Sequence, residues 1–284
     1  MSKVWLVTGS SRGLGRSIAE AVIASGDLLV ATARRTSALD DLAALAPDRV
    51  APVALDVTDM AAAEAAVATA VDQFGRLDVV VNNAGYATIG SIEETPIDVF
   101  REQVETNLFG VVNVTRAALP VFRSQRSGHF VQLSTVGGRR APGFGLAAYG
   151  TAKHGVEGFS ESLAAETAPF GVKVTIVEPG GFRTDWAGSS MDVVRPGPDY
   201  ESTVGSMVSH LKDAELPGDP RKAAEVIVRV ADMDEPPLRL PLGSDAVQLI
   251  RAADEAKIAQ IDRWADLSRS TDADDAVARD LSRL

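Results

Sequence analysis

The chain has 284 residues, 45% hydrophobic and 24% charged, a balance that suits a globular domain large enough to bury its core without disulfides or metals. Its net charge of −11 argues against nucleic acid and anionic membrane surfaces as partners, and the absence of cysteine excludes a disulfide framework or a thiolate metal site. No run approaches the ~20 apolar residues that span a bilayer, and Val4–Val7 is too short for a leader, so the expected compartment is the cytoplasm.

Short β-branched runs alternate with helical patterns. Val4–Thr8 reads as a strand, followed by a helix over about Leu14–Ser25, a strand at Leu28–Thr32 and a helix near Ala38–Ala46. Val50–Leu55, an Ala-rich helix over Asp59–Phe74 and the apolar fourth strand Asp78–Val81 come next. Thr95 reads as a helix cap, with Pro96 opening one long helix toward Phe122. A fifth strand at His129–Ser134, a helix at Ala147–Ala168, a sixth strand at Val172–Glu178, a helix capped by Asp219-Pro220 and a last strand at Leu238–Leu242 complete the alternation. Continuous apolar strands separated by helices predict an α/β fold, a single doubly wound parallel sheet with helices on both faces.

From Trp186 to Leu216 the alternation stops. Trp186, Met191, Val194 and Tyr200 mix with Gly, Ser and Pro, and Val204, Met207, Val208 and Leu211 form one helical stripe. This stretch is expected either to cover a substrate as a lid or to pack on the core. A helical pattern carrying Val247, Ile250, Ala253, Ile258, Ile261 and Trp264 follows. Residues 1–267 are expected to form one domain, with a polar, acidic tail over 268–284.

Thr8-Gly9-Ser10-Ser11-Arg12-Gly13-Leu14-Gly15 lies between the first strand and the first helix. Glycines there permit a sharp turn and close approach of backbone to a pyrophosphate, which the helix N-terminus attracts. A P-loop fails, because Gly-Leu-Gly-Arg stands where its Lys is required. Gly9-Ser10-Ser11-Arg12-Gly13 also matches the nucleophile elbow of serine hydrolases, with Ser11 as nucleophile, although that elbow sits deep in its fold rather than after the first strand. His129, His154 and His210 are scattered, so no metal site is expected.

Asn82-Asn83-Ala84-Gly85 follows the fourth strand, Asn107 stands in the long helix, Tyr149-Gly150-Thr151-Ala152-Lys153 opens the next, and Pro179-Gly180-Gly181-Phe182-Arg183-Thr184 follows the sixth strand. In this order the motifs resemble the short-chain dehydrogenase/reductase family, well over Lys3–Thr184 and in outline beyond, with a looser likeness to its hydroxysteroid dehydrogenase branch. The resemblance implies a Rossmann-type fold, a small carbonyl or alcohol substrate, hydride transfer, and a homodimer or homotetramer built on the helices about Pro96–Phe122 and Ala147–Ala168. It implies cofactor contacts from Gly9, Ser11, Arg12, Gly13, Leu14, Gly15, Asp56, Val57, Asn83, Ala84, Gly85, Tyr149, Lys153, Pro179, Gly180, Phe182 and Thr184. Lys153 then holds the nicotinamide ribose, and Asn107 keeps a water in a proton relay.

Tyr149 and Lys153, four apart, share one helix face. A phenol titrates near 10, and an adjacent ammonium brings it toward neutrality, suiting an acid–base role. The family's third catalytic group is a hydroxyl after the fifth strand. Ser134 and Thr135 both stand there, the alignment on Gly138 favouring Thr135 and residue type favouring Ser134. An NAD enzyme of this layout carries an acid at the end of the second strand. Here Ala33 and Arg34 take that place, and Arg12 precedes Gly13, which points to NADP(H) with Arg12 and Arg34 on the 2′-phosphate and Arg35 a surface charge. An NADP(H)-sensing protein without catalysis is the alternative of a different class.

Overall fold

A computed structural model describes residues 2–141, 143–184, 191–273 and 276. The parallel strands β1 (Val4–Val7), β2 (Leu28–Ala33), β3 (Val50–Ala54), β4 (Val79–Asn82), β6 (Gly128–Leu133), β7 (Val172–Pro179) and β9 (Arg239–Leu242) form one sheet in the order β3-β2-β1-β4-β6-β7-β9. The short strands β5 (Ala87–Ile89) and β8 (Met191–Val193) pair in a second sheet.

Alternation along β1 divides the core. Trp5 and Val7 pack against Ile18, Ala19 and Val22 of α1 (Gly13–Ala24) and Ala224 and Ile227 of α8 (Pro220–Ala231). Val4 and Leu6 belong to the opposite cluster, with Ala66 of α3 (Met60–Phe74), Val114, Ala118 and Phe122 of α5 (Gly110–Gln125) and Leu163 of α6 (Ala147–Thr167). Both faces of each central strand are covered, which is why the strands read as unbroken apolar runs. The order reverses at β1 and β4, so the C-terminal ends of β1, β4, β6 and β7 open onto one crevice, the usual ligand position in such sheets.

Several expectations need correction. The region beyond Thr95 is not one helix: α4 (Ile97–Val104) and α5 are separated by a π turn over Glu105–Phe109. Thr95 does not cap it either. Its hydroxyl donates to Ser91 O at 2.6 Å, closing the preceding turn, and Pro96 takes the cap position with extended ψ. Asp219 does cap α8, accepting from Arg221 N at 2.9 Å. The last helix, α9 (Ser244–Arg269), runs past residue 267 and buries only Ala246 and Ile250, while Val247, Ile258, Ile261 and Trp264 are exposed. Between Asp40–Leu45 (α2) and Ser206–Asp213 (α7), every remaining helix of the alternation appears near its expected place.

The candidate active site at the sheet's C-terminal edge

The crevice is a cavity of about 1050 Å³, larger than most drug-sized ligand sites and ample for a dinucleotide beside a small substrate. Every expected cofactor contact lines it: Gly9, Ser11, Arg12, Gly13, Leu14, Gly15, Arg34, Asp56, Val57, Asn83, Ala84, Gly85, Tyr149, Lys153, Pro179, Gly180, Phe182 and Thr184. Ser134 and Thr135 line it as well, but Asn107 does not.

The Gly-rich turn is fixed from β4. Thr8 Oγ1 accepts from the Asn83 and Ala84 amides, both at 2.9 Å, and Asn83 Nδ2 donates to Thr8 O at 2.9 Å. A Cβ on Gly15 would collide with Asn83 Nδ2 and the Gly9 carbonyl, so only glycine lets the two loops meet. Gly13 has φ +57°, the left-handed region that glycine favours. Helix α1 then starts with no capping side chain and no acidic residue in its first turn, leaving a positive helix end suited to a pyrophosphate. Ser11 is not held at positive φ and makes no hydrogen bond to a histidine or carboxylate among the described residues, contrary to a hydrolase elbow. His129 is buried in β6, bonded to Thr175 Oγ1 at 2.9 Å, and burial pushes its imidazole down to about 3.

At the end of β2, Ala33 and Arg34 reach the cavity, and Arg35 does not. Across it, β6 and α6 bring the reacting candidates together. Tyr149 is 9% and Lys153 5% exposed. Lys153 Nζ donates to Leu133 O at 2.6 Å and lies 5.8 Å from the Tyr149 ring centroid. Burial brings the ammonium down from 10.5 to about 8, against the opposing field of Glu157. The two hydroxyl candidates differ in aim. Ser134 Oγ is buried beside Gly138, next to the Glu157 carboxylate whose charged form it favours. Thr135 is half-buried, its Oγ1 donating to Pro179 O and accepting from Gly137 N, both at 3.3 Å.

Asn107 stands in the π turn, wholly buried. Its Oδ1 accepts from Tyr86 N at 3.0 Å and its Nδ2 donates to Tyr86 O at 2.7 Å. Its side chain therefore fixes the wall after Gly85 rather than facing the cavity. Asp56 Oδ1 accepts from Thr58 N at 3.0 Å while its residue lines the cavity, so turn closure and ligand wall coincide there.

Of the expected cover, Trp186 falls outside the described residues. Met207 and Leu211 line the cavity, whereas Met191, Tyr200 and Val208 pack on a small core of Ala87, Ile89, Leu146, Tyr149 and Val204. Val194 N donates to Ile89 O at 2.7 Å and Tyr200 Oη donates to Glu93 Oε2 at 2.6 Å, stitching this segment to the loop after β4.

Sequence reasoning missed Asp245. Its Oδ2 accepts from Gly181 N at 2.7 Å, and its carboxylate fits only because Gly180 has no Cβ. The one local signal was an acidic residue in the first turn of a helix.

The family model for short chain dehydrogenase matches residues 3–193. The chain belongs to the short-chain dehydrogenase family. It is 48% identical over 272 residues to Oxidoreductase BOA17 of Botryotinia fuckeliana, covering 94% of this chain and 98% of that one. It is 31% identical over 245 residues to 3-ketodihydrosphingosine reductase of Bacteroides thetaiotaomicron, covering 85% and 88% respectively. A short-chain dehydrogenase from Streptomyces avermitilis superposes with TM-score 0.90 at 43% identity, over 96% of this chain and 100% of that one. This short-chain dehydrogenase is an oxidoreductase, and among its described residues no helix is long and apolar enough to cross a membrane.

Proposed function

We propose that this short-chain dehydrogenase reduces a ketone or aldehyde to an alcohol with NADPH, Tyr149 acting as the acid. What supports this most is the buried Tyr149–Lys153 pair facing the same cavity as the Gly-rich turn. NADPH, when bound, supplies the hydride. Tyr149 gives its phenolic proton to the carbonyl oxygen as the carbon–oxygen π pair localises there, and the Lys153 ammonium favours the phenolate left behind. Thr135 is the better hydroxyl to steady that oxygen, because it is half-buried and bonded to Pro179 O of the expected cofactor segment, while Ser134 Oγ is wholly buried. Asn107 acts by holding the Tyr86 backbone.

NADPH is favoured over NADH because Ala33 offers no carboxylate to a ribose 2′-hydroxyl, and Arg12 and Arg34 border that end of the cavity. A ketone reductase among the relatives agrees with the carbonyl direction.

The test is NADPH and NADH consumption across aldehydes and ketones, with Tyr149→Phe and Arg34→Ala alongside. Tyr149→Phe is expected to lose about 10²–10⁴-fold in kcat while binding NADPH. Arg34→Ala should lower the NADPH-over-NADH preference about tenfold or more, one charge-assisted contact's worth. Full activity in Tyr149→Phe would contradict the reading.

A further inference from the structure

Arg139 and Arg140 are neighbours in the turn after β6, yet they meet different fates. Arg139 is neutralised: its guanidinium pairs with the buried Glu178 at 3.2 Å and with Asp254 of α9. The Arg140 backbone is equally well fixed, its N–H donating to Val136 O at 3.2 Å. Arg140 itself, however, lines the cavity half-buried, and no carboxylate lies within ion-pair distance of its guanidinium among the described residues. Partial desolvation of such a charge is unfavourable until an anion meets it.

The position of Arg140 says where such an anion would sit. The loop that follows it abuts α7, since a Cβ on Gly143 would run into Met207. Leu146, Met207 and Leu211 line the same cavity, with His210 as a further hydrogen-bonding group. Asp56, Glu102, Glu105 and Asp192 also line the cavity, and none of them pairs with Arg140. Asp245, the other carboxylate on this wall, is committed to the Gly181 amide. A cavity-lining cation that no carboxylate neutralises, in a cavity also lined by Leu146, Met207 and Leu211, describes a place for a carboxylate on a hydrocarbon chain. The planar guanidinium fork matches a carboxylate in two parallel hydrogen bonds.

Resting on the reductase reading above, we propose that Arg140 is a specificity-determining residue that binds a carboxylate of the substrate, making the preferred substrate an oxo acid with apolar carbons between its carbonyl and its carboxylate. The reaction balances as before: hydride reaches the carbonyl carbon, Tyr149 protonates its oxygen, and the carboxylate stays unchanged as a handle.

Aliphatic oxo acids are to be compared with their own methyl esters under NADPH. Wild type should favour the acid by about tenfold or more in kcat/KM, the ratio falling to near one in Arg140→Gln and only partly in Arg140→Lys. Arg35→Gln, which alters a charge off the cavity, should leave the ratio alone. Esters reduced as well as acids by wild type, or a ratio unmoved by Arg140→Gln, would remove the carboxylate assignment while leaving the reductase reading intact. Were neither acid nor ester turned over, the reductase reading would fall, and calorimetric titration of the corresponding hydroxy acid and its ester would still decide Arg140. Acid binding weakened about tenfold by Arg140→Gln supports its role, and equal binding of acid and ester overturns it.

Discussion

At the residue scale, the site depends on a lysine that the fold has buried. Lys153 titrates near 8 because burial disfavours its ammonium. In the proposed reaction the charged form favours the Tyr149 phenolate, so carbonyl reduction is predicted to hold below pH 8 and decline as pH rises through about 8. The kcat/KM profile reports groups of the free enzyme and is the measurement to make, the limb belonging to the Tyr149–Lys153 pair jointly. A profile flat from neutrality to well above pH 8 would contradict this role. The hydroxyl choice is equally testable. Thr135→Val is expected to lower kcat about 10²–10³-fold, the effect of one lost oxyanion donor, with Thr135→Ser largely retaining activity and Ser134→Ala costing far less. Sequence spacing left these two hydroxyls open because they are adjacent and chemically alike. Only the turn geometry separates them, sending Thr135 Oγ1 to Pro179 O and Ser134 Oγ toward Gly138.

At the element scale, the reacting helix α6 is anchored by a buried ionic cluster behind the site. Arg239 of β9 pairs with Glu157, with Glu161 at 2.8 Å and with Glu178 at 2.8 Å, and Glu178 is wholly buried. Burial pushes the Glu157 carboxyl up, and Arg239 opposes that shift. Arg239→Met would leave the buried Glu157 without a cation and Glu178 with Arg139 alone, and should destabilise the fold by about 3–5 kcal/mol, read by chemical denaturation. Stability unchanged in that variant would mean the cluster is not needed to anchor α6. Helix α9 ties the same region from outside, through Asp254 to Arg139 and through Asp245 to Gly181. These tethers were not legible in the sequence, because Asp245 and Gly181 lie 64 positions apart and no local pattern links them. The π turn around Asn107 was hidden for a related reason. Its apolar spacing is that of a helix, and the extra residue shows only in the backbone bond from Gly110 N to Glu105 O.

At the scale of the whole molecule, the parallel sheet and the cavity at its C-terminal edge were legible. Strands covered on both faces must be apolar at successive positions, as Val4 to Val7 are, and glycines that admit one loop against another leave a fixed spacing. The substrate side was not. The β5–β8 sheet rests on three-residue strands about a hundred positions apart, and Arg140 acquires meaning only when α7 closes over its loop. The charge of −11 likewise concealed a cavity bordered by Arg12, Arg34 and Arg140.

In the proposed reaction, hydride passes to a substrate carbonyl carbon in this cavity. The most direct measurement is reduction with NADPH deuterated at the transferring position of the nicotinamide, followed by mass and NMR analysis of the product alcohol. One deuterium at the carbinol carbon is expected, with the hydroxyl proton drawn from solvent through Tyr149. An alcohol formed without deuterium at that carbon, or one formed equally fast by Tyr149→Phe, would contradict it.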